Sequence, residues 1–260
     1  MATTGADVLP DPNIVPRLEA AAARSWPSER DVAVGNWSVR VDGAMSSKRL
    51  NSINPLAPCD EIGFRDDLSQ ARDILASKGR PPLFRMTPLA GDFLSDRLDR
   101  DGWTRFETSH VLTAELADVA SASMGEPVPA DEFAQAWASV RGLAPEKSAD
   151  VSKVIERIVL QVGLFVLKSD DGQATASAIC VRDGDLAGFF EVAVSERYRK
   201  RGYALKIMSQ GMVWAKEQGA NTAWLQVLAD NEAALCLYRR LGFDNVYSYH
   251  YRKPPGDLHG

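Results

Sequence analysis

Apolar residues change their spacing along the chain, and each change marks an element. Residues 1–10 carry no apolar period and are expected to form a leader without fixed structure. A helix is expected over 15–23, stopped near Trp26-Pro27. Two alternating runs follow, 37–42 and 48–54, with Asp42-Gly43 as the turn of a hairpin between them. Leu68, Ala71, Ile74 and Leu75 recur on one face, which predicts a helix over 66–78. A short strand at 83–86, a helix at 93–100 stopped by Gly102 and an extended run at 103–113 complete the first half.

Residues 117–126 are mostly small or acidic, and Pro127 and Pro129 follow. They suggest a boundary between a domain at 11–126 and a second at 131–260. In the second, helices are expected at 131–141 and 148–158, with Asp131 and Ser148 as N-caps. Three strands, 163–167, 174–181 and 187–194, are separated by the turn signals Asp171-Gly172 and Asp183-Gly184. A helix over 203–217 would turn Leu205, Met208, Met212 and Ala215 inward and end at Gly219. A strand at 223–228, a helix at 232–241 and a strand at 243–252 close the chain. The order ααβββαβαβ reads as an α+β layered domain.

Bulk properties narrow the function. With 260 residues and 45% hydrophobic content, the chain can bury a sizeable core. Its formal net charge of -5 argues against a nucleic-acid role, which needs a basic surface. Cys59, Cys180 and Cys236 lack metal-ligand spacing, and their odd, sparse count suits a reducing compartment. No metal, no nucleic acid and no membrane partner are expected, and a cytoplasmic location is the default.

The chemistry concentrates at 192–205. A strand ends at Val194, a basic loop carrying Arg199, Lys200, Arg201 and Gly202 follows, and a helix begins near Tyr203. Backbone N–H groups and the positive end of a helix dipole converge there, which suits an anion such as a diphosphate. The alternative is a solvated basic turn that merely starts a helix.

Two stretches together decide between these alternatives. Arg199-Lys-Arg-Gly202-Tyr-Ala204 and the later Asn231, Ala234, Tyr238 and Gly242-Phe243 resemble the GNAT N-acetyltransferase superfamily. They match its R-x-x-G-x-G/A and N-x-x-A-x-x-x-Y-x-x-x-G-F patterns over roughly 131–253. The resemblance implies an α+β fold with a mixed, splayed sheet flanked by helices. It also implies acetyl-CoA as co-substrate. The pantetheine arm would pair with Val192, Ala193 and Val194, and the pyrophosphate would sit on Lys200, Arg201, Gly202, Tyr203, Ala204 and Leu205 beside Arg199. Asn231 would contact the cofactor arm. Tyr238 stands at the general-acid position, with a packed core tyrosine as its alternative. A backbone N–H at or near Val194 would hold the oxyanion.

Glu191 is the expected base, acting through a water. It is a lone acid in an apolar strand, costly unless solvated or functional, with a solvent-facing carboxylate as the alternative. Cys236, between two leucines, reads as a packed apolar residue, and His110 and His250 read as strand-surface residues.

The first half reads as a degenerate GNAT-like copy in tandem. Aligning Gly102 with Gly242 puts Leu98 at the place of Tyr238, and no R-x-x-G-x-G/A loop occurs. It would either wall the acceptor pocket or serve as a packing platform. The expected activity is acetyl transfer from acetyl-CoA to a primary amine, on a small molecule or a peptide. The contrasting readings are a catalytically silent acyl-CoA sensor or scaffold, and a transferase for longer acyl chains. Exposed final strands would offer an edge for a homodimer.

Overall fold

The computed structural model describes residues 13–117, 119 and 125–256, so the expected leader, part of the linker and His259 lie outside the described residues. The first half comprises α1 (Ile14–Ser25), β1 (Arg30–Val34), β2 (Trp37–Val41), β3 (Ser52–Pro55), α2 (Phe64–Ala76), β4 (Phe84–Met86), α3 (Gly91–Arg100) and β5 (Thr104–Glu115). The second comprises α4 (Ala130–Val140), α5 (Ser148–Arg157), β6 (Gln161–Lys168), β7 (Ala174–Asp183), β8 (Leu186–Val194), α6 (Tyr203–Glu217), β9 (Thr222–Leu228), α7 (Glu232–Arg240) and β10 (Asp244–Lys253).

The N-terminal hairpin differs from the sequence expectation. β1 is an additional strand, turned into β2 at Gly35-Asn36, with Val34 opposite Trp37. β2 then pairs antiparallel with β3, and residues 48–50 form a single 3-10 turn rather than strand. Asp42 is not a tight-turn residue. It is fully buried and accepts hydrogen bonds from the backbone N–H groups of Glu29, Ala44 and Met45. Its charge is balanced by Arg157 at 2.5 Å, so the carboxylate organises the long β2–β3 loop from inside. The expected caps also shift. Pro129 occupies the N-cap of α4 and Asp131 falls in the first turn, where its charge still faces the positive helix end. Ser148 is the first residue of α5, after a 3-10 turn at Pro145–Lys147.

All ten strands form one mixed sheet in the order β1-β2-β3-β4-β10-β5-β9-β8-β7-β6. The order is its own mirror when each strand is matched with the strand five places later. β3 and β4 run parallel, as do β8 and β9. The two segments are interleaved at the centre. β5, from the first half, is hydrogen-bonded between β9 and β10, and β10 continues the sheet to β4.

Helices cover both faces. Leu18 and Trp26 of the α1 segment pack with Phe133, Trp137, Val151 and Val154 of α4 and α5 over Ile179, Phe190 and Trp224. On the other face, Ile207, Met208 and Met212 of α6 pack with Phe165, Phe189, Leu225 and Tyr238. A third core under α2 and α3 gathers Trp37, Phe64, Phe84 and Leu98. Burying such a side chain contributes about 1.5–3 kcal/mol, so each face holds its helices firmly.

Candidate active site

The sheet opens at one place. β8 and β9 pair in parallel from Leu186–Thr222 to Phe189–Leu225 and no further. Beyond that point β8 stays bonded to β7 as far as Val194, and β9 stays bonded to β5 as far as Leu228. The facing edges of Val192, Ala193 and Val194 are left without a strand partner. Main-chain donors and acceptors at such an edge need a guest.

A bulge shapes the apex of this opening. Ile179 faces Phe190, whereas Ser177 faces Ala193, so Glu191 and Val192 together oppose Ala178. Glu191 carries the bulge at φ 53. The extra residue reverses the alternation: Phe190 packs against Trp26 and Trp224, while Val192 and Val194 pack on the α6 side. Glu191 thereby turns towards α4.

There Glu191 is an engaged carboxylate, 9% exposed. It accepts from Trp137 Nε1 at 2.9 Å, pairs with Arg141 at 2.7 Å and meets Arg49 at 3.6 Å. The solvent-facing alternative does not hold. Sequence analysis missed these partners because they come from separate segments; only the bulge brings them together.

The basic loop and α6 lie below the opening. Lys200 and Gly202 both adopt left-handed backbone, at φ 60 and φ 80, and Gly202 is the N-cap of α6. No side chain caps this helix. A Cβ on Gly202 would meet nothing within 4 Å, so the glycine is required by its backbone angle and faces open space. Among the described residues the Arg199 side chain, 65% exposed, has only a 3.7 Å contact with Glu196. Arg197 and Arg201 flank the Tyr198 ring, and Tyr198 meets Tyr203 edge to face. The loop thus combines uncapped helix N–H groups with mobile-length cations, a chemistry suited to a diphosphate.

Tyr238 belongs to the apolar cluster that also holds Val192, Val194 and Tyr203. Its hydroxyl has no hydrogen-bond partner among the described residues, and burial pushes its pKa up to about 12. Asn231 is the N-cap of α7, its Oδ1 accepting from Ala234 N at 3.2 Å. That role accounts for the asparagine locally.

On the opposite side of the apex a narrow cleft is lined by Glu19, Trp26, Arg40, Arg49, Phe190 and Gln226, among others. Phe190 and Gln226 are the first residues past the last β8–β9 pair. The cleft and the strand opening therefore meet at the bulge.

A splayed parallel pair, a bulge at its apex and an uncapped helix behind a basic loop make up the arrangement in this chain. A family model described as "Probable histone acetyltransferase Rv0428c C-terminal" matches residues 14–252. The chain belongs to this family. It is an N-acetyltransferase of the GNAT type, an acyltransferase enzyme. An uncharacterized N-acetyltransferase of Bacillus subtilis, YobR, is 25% identical over 244 residues, 91% of this chain and 97% of the relative. The ribosomal protein bS18-alanine N-acetyltransferase of Escherichia coli is 33% identical over 78 residues, 30% of this chain and 53% of that enzyme. This chain thus spans about half the length of that curated relative. A GCN5-related N-acetyltransferase from Kribbella flavida has the same fold, with a TM-score of 0.68 at 19% identity, covering 94% of this chain and 96% of that one.

Cys236 and His250 depart from expectation. Cys236 is exposed on α7 rather than packed, because its neighbours Leu235 and Leu237 carry the inward faces. His250 is half-buried and its Nε2 has no partner, whereas His110 bonds Ser248 Oγ at 2.8 Å. Among the described residues no group of His, Cys, Asp and Glu could hold a metal ion, and no helix is long and apolar enough to cross a membrane.

Proposed function

We propose that this enzyme moves an acetyl group from acetyl-CoA to a primary amine, with the co-substrate in the β8–β9 opening and the amine in the cleft on the far side of the bulge. The unpaired edge of Val192, Ala193 and Val194 carries this reading, because it ends where the cleft begins. The pantetheine amides would complete that edge. The diphosphate would rest on the N–H groups of Gly202, Tyr203, Ala204 and Leu205, with Arg199, Lys200 and Arg201 adding charge. Asn231 holds the start of α7 beside the arm.

Acetyl-CoA supplies an activated thioester. The neutral amine attacks its carbonyl carbon, the C–N bond forms, and the C–S bond breaks. The N–H at Val194 or a neighbour would hold the oxygen charge that develops. Tyr238 would donate a hydrogen bond to the departing sulfur, whose thiol form has an ordinary pKa of about 8.5. A phenol held near 12 stays protonated throughout the working range. Glu191 would take the ammonium proton through a water. Its fixed bonds to Trp137 and Arg141 leave it well placed to orient that water.

The halves at 11–126 and 131–260 are read as tandem copies, of which the first has lost its cofactor site. One backbone feature and one charge comparison support this. Gly63 starts α2 at φ 79 just as Gly202 starts α6 at φ 80. Aligning them sets Asp60, Glu61 and Ile62 against Arg199, Lys200 and Arg201. The helix start is retained and its charge reversed, so a diphosphate would be repelled. Titration calorimetry with acetyl-CoA should find one site per chain, and amines should then release free thiol. Two sites would refute the degenerate first half. No binding would refute the co-substrate.

A further inference from the structure

The cleft beyond the bulge has acids that are fully engaged and cations that are not. Glu19 is held by both terminal nitrogens of the Arg85 guanidinium and by the Tyr247 hydroxyl. Glu191 is held by Arg141 and Trp137. Both carboxylates already have charged or hydrogen-bonding partners.

Arg40 and Arg49 are the opposite case. Arg40 is buried, donates to the backbone carbonyls of Arg49 and Trp26, and leaves its Nε without a hydrogen-bond partner among the described residues. Its nearest carboxylate, Asp31, is 3.7 Å away and 45% exposed. Burial holds the Arg40 pKa down at about 10, the mark of a cation short of compensating charge. Arg49 is 26% exposed, lies over the Phe190 ring at 5.9 Å and, among the described residues, reaches only the already engaged Glu191 as an ion-pair partner, at 3.6 Å. Both line the cleft that meets the apex.

We propose that the acceptor is a small amino acid-like molecule, seated with its carboxylate on Arg49 and its amine beside Glu191 at the bulge. This rests on the acetyltransferase reading and adds its substrate class. Arg49 can grip a carboxylate with two parallel N–H donors, and Arg40 behind it supplies a field of the same sign. The 3.6 Å between Arg49 and Glu191 suits a molecule whose carboxylate and amine are a few bonds apart. A long peptide bound by its N-terminus would leave these cations facing uncharged backbone, and a polyamine would face them with like charge.

The test compares free L-amino acids with the corresponding L-amino acid amides, by thiol release from acetyl-CoA. Acids should be preferred about ten- to a hundredfold in kcat/KM, the value of a charge-assisted contact. Arg49→Gln should bring acid and amide within about threefold of each other, and Arg49→Lys should restore part of the preference. A thermal melt of each variant shows that it has folded. Amides used as well as acids, or turnover of peptide N-termini or polyamines but of no acid, would overturn the proposal. Calorimetry with acetyl-CoA alone separates this from failure of the acetyltransferase reading. The same acids and amides titrated without acetyl-CoA, followed by tryptophan fluorescence through Trp26 beside Phe190, report carboxylate recognition independently. Equal affinities there would also overturn it.

Discussion

Leu98 and Tyr238 occupy matching places near the ends of α3 and α7. Trp103 N donates to Leu98 O at 2.9 Å, and Phe243 N donates to Tyr238 O at the same distance. Gly102 at φ 75 and Gly242 at φ 81 end the two helices in the same left-handed conformation. The local backbone is the same at both helix ends, but only Tyr238 carries a hydroxyl.

Tyr238→Phe removes that hydroxyl and keeps the ring packed on Phe243. The expected result is a fall in kcat of about a hundredfold, the usual scale of a positioned acid, with acetyl-CoA affinity nearly unchanged. Steady-state kinetics alongside calorimetry measure both. Unchanged kcat would remove Tyr238 from the chemistry.

Gly202→Ala tests the loop. A Cβ at φ 80 meets no neighbour, so its cost is the left-handed backbone itself, about 1–2 kcal/mol. Relaxing that strain turns the first N–H groups of α6 away from the diphosphate. The dissociation constant for acetyl-CoA should rise about tenfold, the equivalent of about 1.4 kcal/mol. The melting temperature should change by only a few degrees. An unaltered constant would mean that the cofactor does not lean on this helix start.

His250 supplies a pH test of the fold. Burial, then the charges of Arg105 and Arg252, lower its pKa from 6.5 to about 4. A group with a lowered cationic pKa is neutral when folded and takes a proton on unfolding. Its contribution is complete above pH 6.5 and is lost as pH falls from 6.5 towards 4. Denaturant midpoints measured from pH 7 to pH 4 should fall more steeply for the natural protein than for His250→Gln. Parallel curves would show that His250 does not drive the loss.

Local pattern in the sequence was enough to reveal most elements, because their apolar faces and turn residues are contiguous. The loop from Arg199 to Ala204 and the helix from Asn231 were equally legible, since each is one short stretch with its own backbone demand. What stayed hidden depends on distant pairing. The bulge at Glu191 appears only when β8 is set against β7, and Arg49, Trp137 and Arg141 reach it from three separate segments. β1 was hidden too: its burial does not alternate cleanly, with only Val34 buried. The position of β5 between β9 and β10 could not be read from either half alone.

That position makes the two segments interdependent. Residues 131–260 alone would lose β5, and with it every inter-strand bond on one side of β9 and the longest pairing of β10. β4, which continues the sheet from β10, would be absent as well. α1 would also be missing, exposing Phe190 where Trp26 stacks on it at 5.1 Å. Two bare strand edges and an uncovered apolar face favour aggregation over folding. The fragment 131–260 should therefore give no cooperative unfolding transition. Co-expression with 1–126 as a separate chain should restore a soluble, co-purifying pair, because the linker contributes none of these bonds. Size-exclusion chromatography and a thermal melt decide it. A folded, monomeric fragment 131–260 that binds acetyl-CoA would show that the sheet can close without β5, and that the first half is dispensable to the site.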